Sequence, residues 1–472
     1  VIQGFVRSFG NNLHSGDRIE WLKPVMFTGG IGVVLKSNLI KGNPEKEMVI
    51  LRLGGPAYRI GMGGGSASSR SYSEKDSVAN FNAVQRGDPE MENKVNRVLK
   101  TCINMGENNP IISIHDQGAG GTANVTKEIV YPNGALIDIN NIISGDESLS
   151  FLEKWVCEYQ EQISILVYPA SVDKIEKIAQ RENCPISILG NITDSKKIQV
   201  LDSSKNGEVK FPVDLNLEDV LGEIPQKHYK ITKNSIESSC LKLPSNLSIM
   251  NALNYVLRLV SVGSKRFLTN KVDRSVTGLI AQQQCVGPLQ TPLSNVATVA
   301  HSFFSLVGAS TAIGEQPLKG IINSENMARM SIGEMLTNLM WSKISKFEDI
   351  KCSGNWMWPG KDPIEGYHLY NAVRAVSDTL TELGIAIDGG KDSMSMKVNS
   401  DDVVIKSPKS FVISGYAPCP NITKTITPDL KSESSDLFFI DLSDNYRIGG
   451  SALSQVFNQI GDYIPDLESS EI

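Results

Sequence analysis

The sequence predicts a mixed fold, α+β or α/β, built on a duplicated unit. Three observations lead there. Short apolar runs at 48–53, 111–114 and 163–167 alternate with helical stretches at 90–104 and 172–181. A segment near the start recurs near the end. The 472 residues exceed what one hydrophobic core organises, so about two to four domains are expected.

The recurrence sets the organisation. EMVILRLGGPAYRIGMGGGSA (47–67) and SDLFFIDLSDNYRIGGSA (435–452) both read as an apolar strand, a turn, then Tyr-Arg-Ile-Gly, glycine and Ser-Ala. PVMFTGGIG (24–32) and SFVISGYAP (410–418) precede them in the same order, and Tyr58 and Tyr446 lie 388 residues apart. Residues 1–45 then read as the end of one domain and 46–225 as a second. The polar stretch QKHYKITKNSIESSCLKLPS (226–245) reads as a linker. Residues 246–431 form a third domain, and 432–472 begin a fourth. The chain opens without methionine, inside what reads as a strand, and is expected to be a window of a longer protein.

Composition narrows the function. Apolar residues at 40% and charged residues at 21% fit a folded globular protein. A net charge of −6 argues against a nucleic-acid surface. Seven scattered cysteines with no CxxC pair read as reduced thiols, not as a disulfide frame or a zinc site. No apolar run reaches the ~18 residues of a membrane span, and VIQGFVRSFG has no signal-peptide layout. A cytoplasmic protein with no membrane partner is expected.

Five stretches are candidates for chemistry. LGGPAYRIGMGGGS lacks the lysine of a GxxxxGK[ST] phosphate loop and crowds its glycines too closely for GxGxxG. Its glycines would let backbone amides approach an anion, or would simply form a pliant hairpin. In IISIHDQGAGGTANVTKEIV (111–130), Asp116 ends a strand before a glycine turn and a helix. There it suits Mg²⁺ holding phosphate, or it caps the helix. In KWVCEYQEQISILV (154–167), Glu158, Gln160 and Glu161 either bind a polar substrate or form a solvated edge. In ENMARMSIGEMLTNLMW (325–341), Glu334 and Asn338 share one helix face, as Mg²⁺ ligands or as a mutually bonded pair. KCSGNWMWPG (351–360) and DGGKDSMSM (388–396) place small polar residues where a nucleotide would touch, or where a loop turns.

Together, LGGPAYRIGMGGGSASS, RGDPEMENKVNRV, IHDQGAGG, NKVDRSVTGLIAQQQCVGPLQTPL, GEMLTN, SGNWMW and GGKDSMSM, in that order, resemble the phosphoribosylformylglycinamidine synthase family of purine biosynthesis. The resemblance covers nearly the whole chain, as the central synthetase portion of a large glutamine amidotransferase. It implies an α+β fold of duplicated aminoimidazole-ribonucleotide-synthetase-like halves with pseudo-two-fold symmetry, truncated at both ends. On that frame 1–45 ends the first N-terminal domain, 46–225 is the first C-terminal domain, 246–431 is the second N-terminal domain, and 432–472 starts the second C-terminal domain. The implied reaction joins glutamine-derived ammonia to formylglycinamide ribonucleotide through an iminophosphate, with ATP as substrate.

The resemblance also implies site residues. Gly55, Pro56, Ala57, Tyr58, Arg59, Ile60, Gly61, Met62, Gly63, Gly64, Gly65 and Ser66, with Ser294, match a structural ADP site whose Mg²⁺ is held at Asn295, Glu334 and Asn338. Mg²⁺ there would do the work of the missing lysine. Gln85, Glu158, Tyr159, Gln160 and Ser393 match the substrate side, with Asp116 as a metal ligand. Asn355 and Gly390 match the active nucleotide, and Lys391 marks a position beside its metal without being a ligand type. Pro292-Leu293-Ser294-Asn295 departs from the family, which usually has aspartate at the last position, so weaker metal binding is expected there. The family's catalytic histidine would precede residue 1, and its glutaminase domain would follow residue 472. Shorter aminoimidazole ribonucleotide or selenophosphate synthetases lack the duplication. A non-catalytic scaffold homologue is the alternative from another class.

Overall fold

The structure, a computed structural model, describes residues 3–13, 16–23, 29–60, 71–73, 87–159, 161–204, 211–223, 225–234, 238–269, 271, 274–400, 403–431, 434–441 and 445–467. Its first strands are β1 (Gly10–Asn12), β2 (Arg18–Glu20), β3 (Val49–Gly54), β4 (Tyr72–Ser73) and β5 (Ser113–Asp116). There follow β6 (Ala135–Asp138), β7 (Gln162–Val167), β8 (Ile186–Ile192), β9 (Lys197–Leu201) and β10 (Val213–Asn216). After residue 228 come β11 (Ile280–Gln282), β12 (Val296–Ala300), β13 (Gly308–Glu315) and β14 (Lys351–Met357). The last are β15 (Ala386–Ser393), β16 (Lys397–Ser400), β17 (Val403–Lys406) and β18 (Ser410–Cys419). The helices that position candidate residues are α1 (Pro89–Ile103), α2 (Gly121–Val130), α3 (Phe151–Val156), α4 (Val172–Arg181), α5 (Ser324–Leu339) and α6 (Pro363–Leu383). The described residues divide into two compact units, one drawn from Val34–Arg70 and Glu74–His228, the other from Val1–Val33, Ser71–Ser73 and Tyr229–Ile472.

In the first of these units the run Val-Ile-Leu-Arg-Leu-Gly makes β3 a strand buried along its whole length. It pairs antiparallel with β7 (Val49 opposite Val167, Leu53 opposite Ile163) and with β8. Strand alternation sends Val49, Leu51 and Leu53 to one face, among Val95 and Val98 of α1 and Ile175 and Ile178 of α4. Met48 and Ile50 go to the other, among Ile129 of α2 and Trp155 of α3. The sheet order is β10-β9-β6-β8-β3-β7-β5, and only β6 and β9 run parallel. Helix α1 begins where Asp88 accepts the Met91 N–H at 3.0 Å and Pro89 fills the first position.

The other unit holds a six-stranded sheet, β11-β12-β13-β18-β14-β15, antiparallel except for β14 and β15. Helices α5 and α6 cover it, with Met327, Ile332 and Met335 packing among Ala372, Val376, Phe411 and Ile413. A five-stranded sheet, β1-β2-β17-β16-β4, completes this unit. The fold is α+β, as the family resemblance implied.

Two expectations are corrected. The second copy of the repeat was expected to form a strand at 435–441, but it has no strand or ladder partner among the described residues. Leu437, Phe438 and Phe439 there are each more than four-fifths exposed. A strand needs neighbouring strands to accept its backbone groups, and β3 has two. The stretches around Asn355 and 388–393 were left open as turns, but they lie within the parallel strands β14 and β15.

Candidate functional site

In the unit built on β3, the candidate loop starts at a close approach of two backbones. Gly54 has φ +119°, and a Cβ there would stand 1.9 Å from the Glu161 carbonyl oxygen. Only glycine permits that approach. The Gly55 N–H donates to the same oxygen at 3.4 Å, and the Gln162 side chain donates to the Gly55 carbonyl at 2.5 Å. The first half of the glycine loop is thereby tied to the 158–162 segment.

A second tie comes from residues 143–153. Ala57 exchanges bonds with this segment, its N–H donating to the Ile143 carbonyl at 2.9 Å and its carbonyl accepting from Gly145 at 2.8 Å. Buried Arg52 donates to the same Ile143 carbonyl at 3.3 Å. Burial pulls its pKa down to about 10, which leaves it cationic at neutral pH. Its other terminal nitrogen, Nη1, is buried with no partner among the described residues. Arg59 pairs with Glu153 at 2.5 Å and Asp146 at 3.6 Å and donates to Ser148. It therefore staples the loop to the 146–153 segment, while Tyr58 is more than half exposed. Pro56 and Ile60 are half-buried. Gly61, Met62, Gly63, Gly64, Gly65, Ser66, Gln85 and Gln160 lie outside the described residues.

Glu158 does not lie on the solvated edge that the sequence left open for Glu158, Gln160 and Glu161, and Tyr159 beside it is enclosed too. Both are buried, and the Tyr159 hydroxyl donates to the Glu153 carbonyl at 2.7 Å. Desolvation holds its phenol well above the usual range. Asp116 ends β5 with its side chain 90% exposed. It does not cap α2, whose N-cap is Gly120 with no side-chain bond. Next to it, His115 Nε2 lies 2.7 Å from Glu128 Oε2, and Nδ1 lies 2.7 Å from the Asp116 carbonyl. Asp116 is thus an exposed carboxylate on a braced strand end, with His115 Nδ1 3.9 Å from its Oδ1.

In the other unit, β13 presents its end to α5. Glu334 Oε2 accepts the Glu315 N–H at 2.8 Å and the Gln316 amide at 2.9 Å. Among the described residues Oε1 has no donor. Asn338 donates its amide nitrogen to the Ile313 carbonyl at 3.0 Å, and its Oδ1 has no donor among the described residues. They are not the mutually bonded pair left open by the sequence. One carboxylate and one amide oxygen, one helical turn apart, are hard donors that fit Mg²⁺. Glu315, beside them, is buried and paired with Arg7 at 2.6 Å. Burial outweighs that partner and pushes its carboxyl up to about 7. Ser294 is buried, donating to the Val296 carbonyl at 2.9 Å. Asn295 is exposed, and its backbone carbonyl accepts from Gln3 at 2.6 Å. Among the described residues no cluster of three or more His, Cys, Asp or Glu side chains gathers as a metal centre.

Strands β14 and β15 set Gly354 beside Gly390 and Asn355 beside Lys391. Gly390 and Lys391 are exposed, while Asn355 and Ser393 are half-buried. The Ser393 carbonyl accepts the Trp358 N–H at 2.9 Å. Sequence reasoning missed Arg52, Glu315, Gln316 and Lys319. A lone charge inside the run VILRLG was the available signal for Arg52.

Comparison with known proteins gives a consistent picture. Residues 45–203 match the AIR synthase related protein, C-terminal domain family, and 264–418 match the FGAR-AT PurM_N-like domain family. A probable phosphoribosylformylglycinamidine synthase, chloroplastic/mitochondrial, of Arabidopsis thaliana is 52% identical over 99% of this chain and 34% of its own length. The phosphoribosylformylglycinamidine synthase of Homo sapiens is 47% identical over 100% of this chain and 36% of its own. PurLQS from Thermotoga maritima shares the fold at TM-score 0.62 and 15% identity, over 84% of this chain and 58% of that one. PurL of the same organism complexed with ATP superposes at TM-score 0.60 and 16% identity, over 84% and 57%. The chain belongs to the phosphoribosylformylglycinamidine synthase family, spanning about a third of the length of the curated relatives it matches.

Proposed function

We propose that the protein carrying this chain converts formylglycinamide ribonucleotide to formylglycinamidine ribonucleotide in de novo purine biosynthesis, as an ATP-dependent carbon–nitrogen ligase. The observation that carries this reading is the 52% identity over 99% of the chain to a relative named for that synthase. Thermotoga maritima PurL has been solved with ATP, with ADP and with FGAR, which supports nucleotide and substrate sites on this fold.

The chemistry follows from the amide. Its oxygen is a poor leaving group, so it attacks the γ-phosphorus of ATP, ADP departs, and an iminophosphate forms. Ammonia then adds to the imidate carbon, the C–O bond breaks, and phosphate leaves with the original amide oxygen. Positioning is most of what the protein supplies. Glu158 and Tyr159, with Gln85, Gln160 and Ser393, bind the ribonucleotide. Asn355 and Gly390 would line its ATP, Asp116 would supply a metal-holding carboxylate, and Lys391 is a position of that nucleotide's metal site without being a ligand type. In the auxiliary site, backbone amides of residues 55–66 and Ser294 hold a structural ADP. Glu334, Asn338 and Asn295 would hold its Mg²⁺. Bound Mg²⁺ would neutralise phosphate charge.

Ammonia comes from a glutaminase domain of the same longer chain, and nucleic acid and membrane play no part. Among the described residues no helix is long and apolar enough to cross a membrane. Seven free cysteines suit a reducing compartment, and we place the protein in the cytoplasm, although one relative's name places that relative in the chloroplast or mitochondrion. A scaffold role has only the missing charge at Asn295 in its favour, and Asp116 and Glu334 keep theirs.

The test is ADP formation by the natural protein, given formylglycinamide ribonucleotide and ammonium salt in place of glutamine. ADP formation that needs both supports the reading. No turnover by folded, nucleotide-bound protein overturns it.

A further inference from the structure

We propose that Gln316 and Lys319 are positioning residues that hold the Glu334 carboxylate with Oε1 presented to a divalent cation. The inference rests on the reading of Glu334 and Asn338 as a cation site, and names what sets its geometry. Three bonds carry it. The Lys319 ammonium donates to Gln316 Oε1 at 2.5 Å. The Gln316 amide nitrogen donates to Glu334 Oε2 at 2.9 Å. The Glu315 N–H donates to the same Oε2 at 2.8 Å.

The order of these bonds is dictated by chemistry. An ammonium has donors and no acceptor. Its presence fixes which end of the Gln316 amide faces it. The amide oxygen must turn to Lys319, so the NH₂ group must turn to Glu334. With Lys319 gone, the Gln316 oxygen loses its donor and the amide is held only at its Glu334 end, so the carboxylate is positioned less tightly. With the relay in place, Oε2 carries two donors and Oε1 none among the described residues. Asn338, one turn along α5, is fixed in the same sense by the Ile313 carbonyl. The end of β13 and the turn after it thus face both side chains with donors and acceptors that leave one open oxygen on each. Partners of this kind orient metal ligands and typically alter affinity by about 10–100-fold when lost.

The experiment uses the natural protein with ADP, and Mn²⁺ as a paramagnetic probe, counting free Mn²⁺ by electron paramagnetic resonance. Glu334→Gln identifies the class of Mn²⁺ site under test. Gln316→Met and Lys319→Met are expected to weaken that class by about 10–100-fold, while Lys319→Arg restores most of the affinity. ADP affinity without divalent cation should stay unchanged, which a merely structural role would not give. Gln316→Asn, one methylene shorter, breaks the relay with little packing loss and decides the matter if the methionine variants unfold. If Glu334→Gln leaves every Mn²⁺ site intact, the cation reading falls. If it removes one class while the Gln316 and Lys319 variants match the parent, the positioning role alone is overturned.

Discussion

Gly54→Ala tests the join between the glycine loop and the substrate segment. At φ +119° the alanine Cβ would lie 1.9 Å from the Glu161 carbonyl oxygen, where real Cβ atoms essentially never come within 3.0 Å. β3 and β7 must therefore part locally by about 1 Å, at a cost of roughly 1–3 kcal/mol for overpacking. The unfavourable φ adds about 1–2 kcal/mol. The Gly55–Glu161 and Gln162–Gly55 bonds add about 1 kcal/mol each when lost. The sum is about 4–7 kcal/mol. Gly106→Ala is the control in the same unit, with φ +59° and open space around the new Cβ, so only strain of about 1–2 kcal/mol applies. For a unit of this size each kcal/mol moves Tm by about 2–4 °C. Thermal unfolding of the two variants beside the parent should show a drop of about 2–8 °C for Gly106→Ala and of more than about 8 °C for Gly54→Ala. Equal shifts would refute the claim that backbone contact, rather than φ alone, demands glycine at 54.

Other outcomes follow from the same geometry. Asn295→Asp should bind Mg²⁺ more tightly in a titration with ADP, because a charge is added to the ligand set; equal affinities would sink that reading. Arg52→Met removes a desolvated cation with an orphaned nitrogen, so Tm should hold or rise. ADP affinity should fall about fivefold as the Ile143 carbonyl loses a donor, roughly 1 kcal/mol, and a parallel change in both quantities would contradict it. His368 is buried among Lys409, Glu365 and Lys406, and desolvation, aided by Lys409, lowers its pKa to about 4. The unfolded chain takes up this proton below about 6.5 while the folded chain does not, so stability falls as pH drops from about 6.5 towards 4. Discounted for partial solvation, the loss is roughly 2 kcal/mol. Urea melts across that range should show it in the parent and a flatter profile in His368→Leu.

Much of the scaffold was legible because short apolar runs alternate with helical stretches. Helix α1 runs Pro89–Ile103 against the expected 90–104. β7, at Gln162–Val167, sits within a residue of its expectation. α4 at Val172–Arg181 matches its own. What stayed hidden depended on partners distant in sequence. Nothing local tells that Glu158 is buried or that Gly54 meets Glu161. β14 and β15 carry glycine, asparagine and serine, poor strand formers alone, and become strands through mutual pairing. Glu334 and Asn338 were visible as a helical pair. The donors that orient Glu334 and the carbonyl that orients Asn338 come from β13 and the residue just after it, beyond the reach of helix spacing. The repeat located the Tyr-Arg-Ile-Gly motif twice, but similarity of sequence does not supply strand neighbours.

The most direct test of the proposed chemistry follows the amide oxygen. Formylglycinamide ribonucleotide labelled with ¹⁸O in that amide would be turned over by the natural protein with ATP and ammonium, and the inorganic phosphate analysed by mass spectrometry. The account predicts one ¹⁸O in each phosphate released. Unlabelled phosphate, with formylglycinamidine ribonucleotide still formed, would contradict phosphorylation of the amide oxygen.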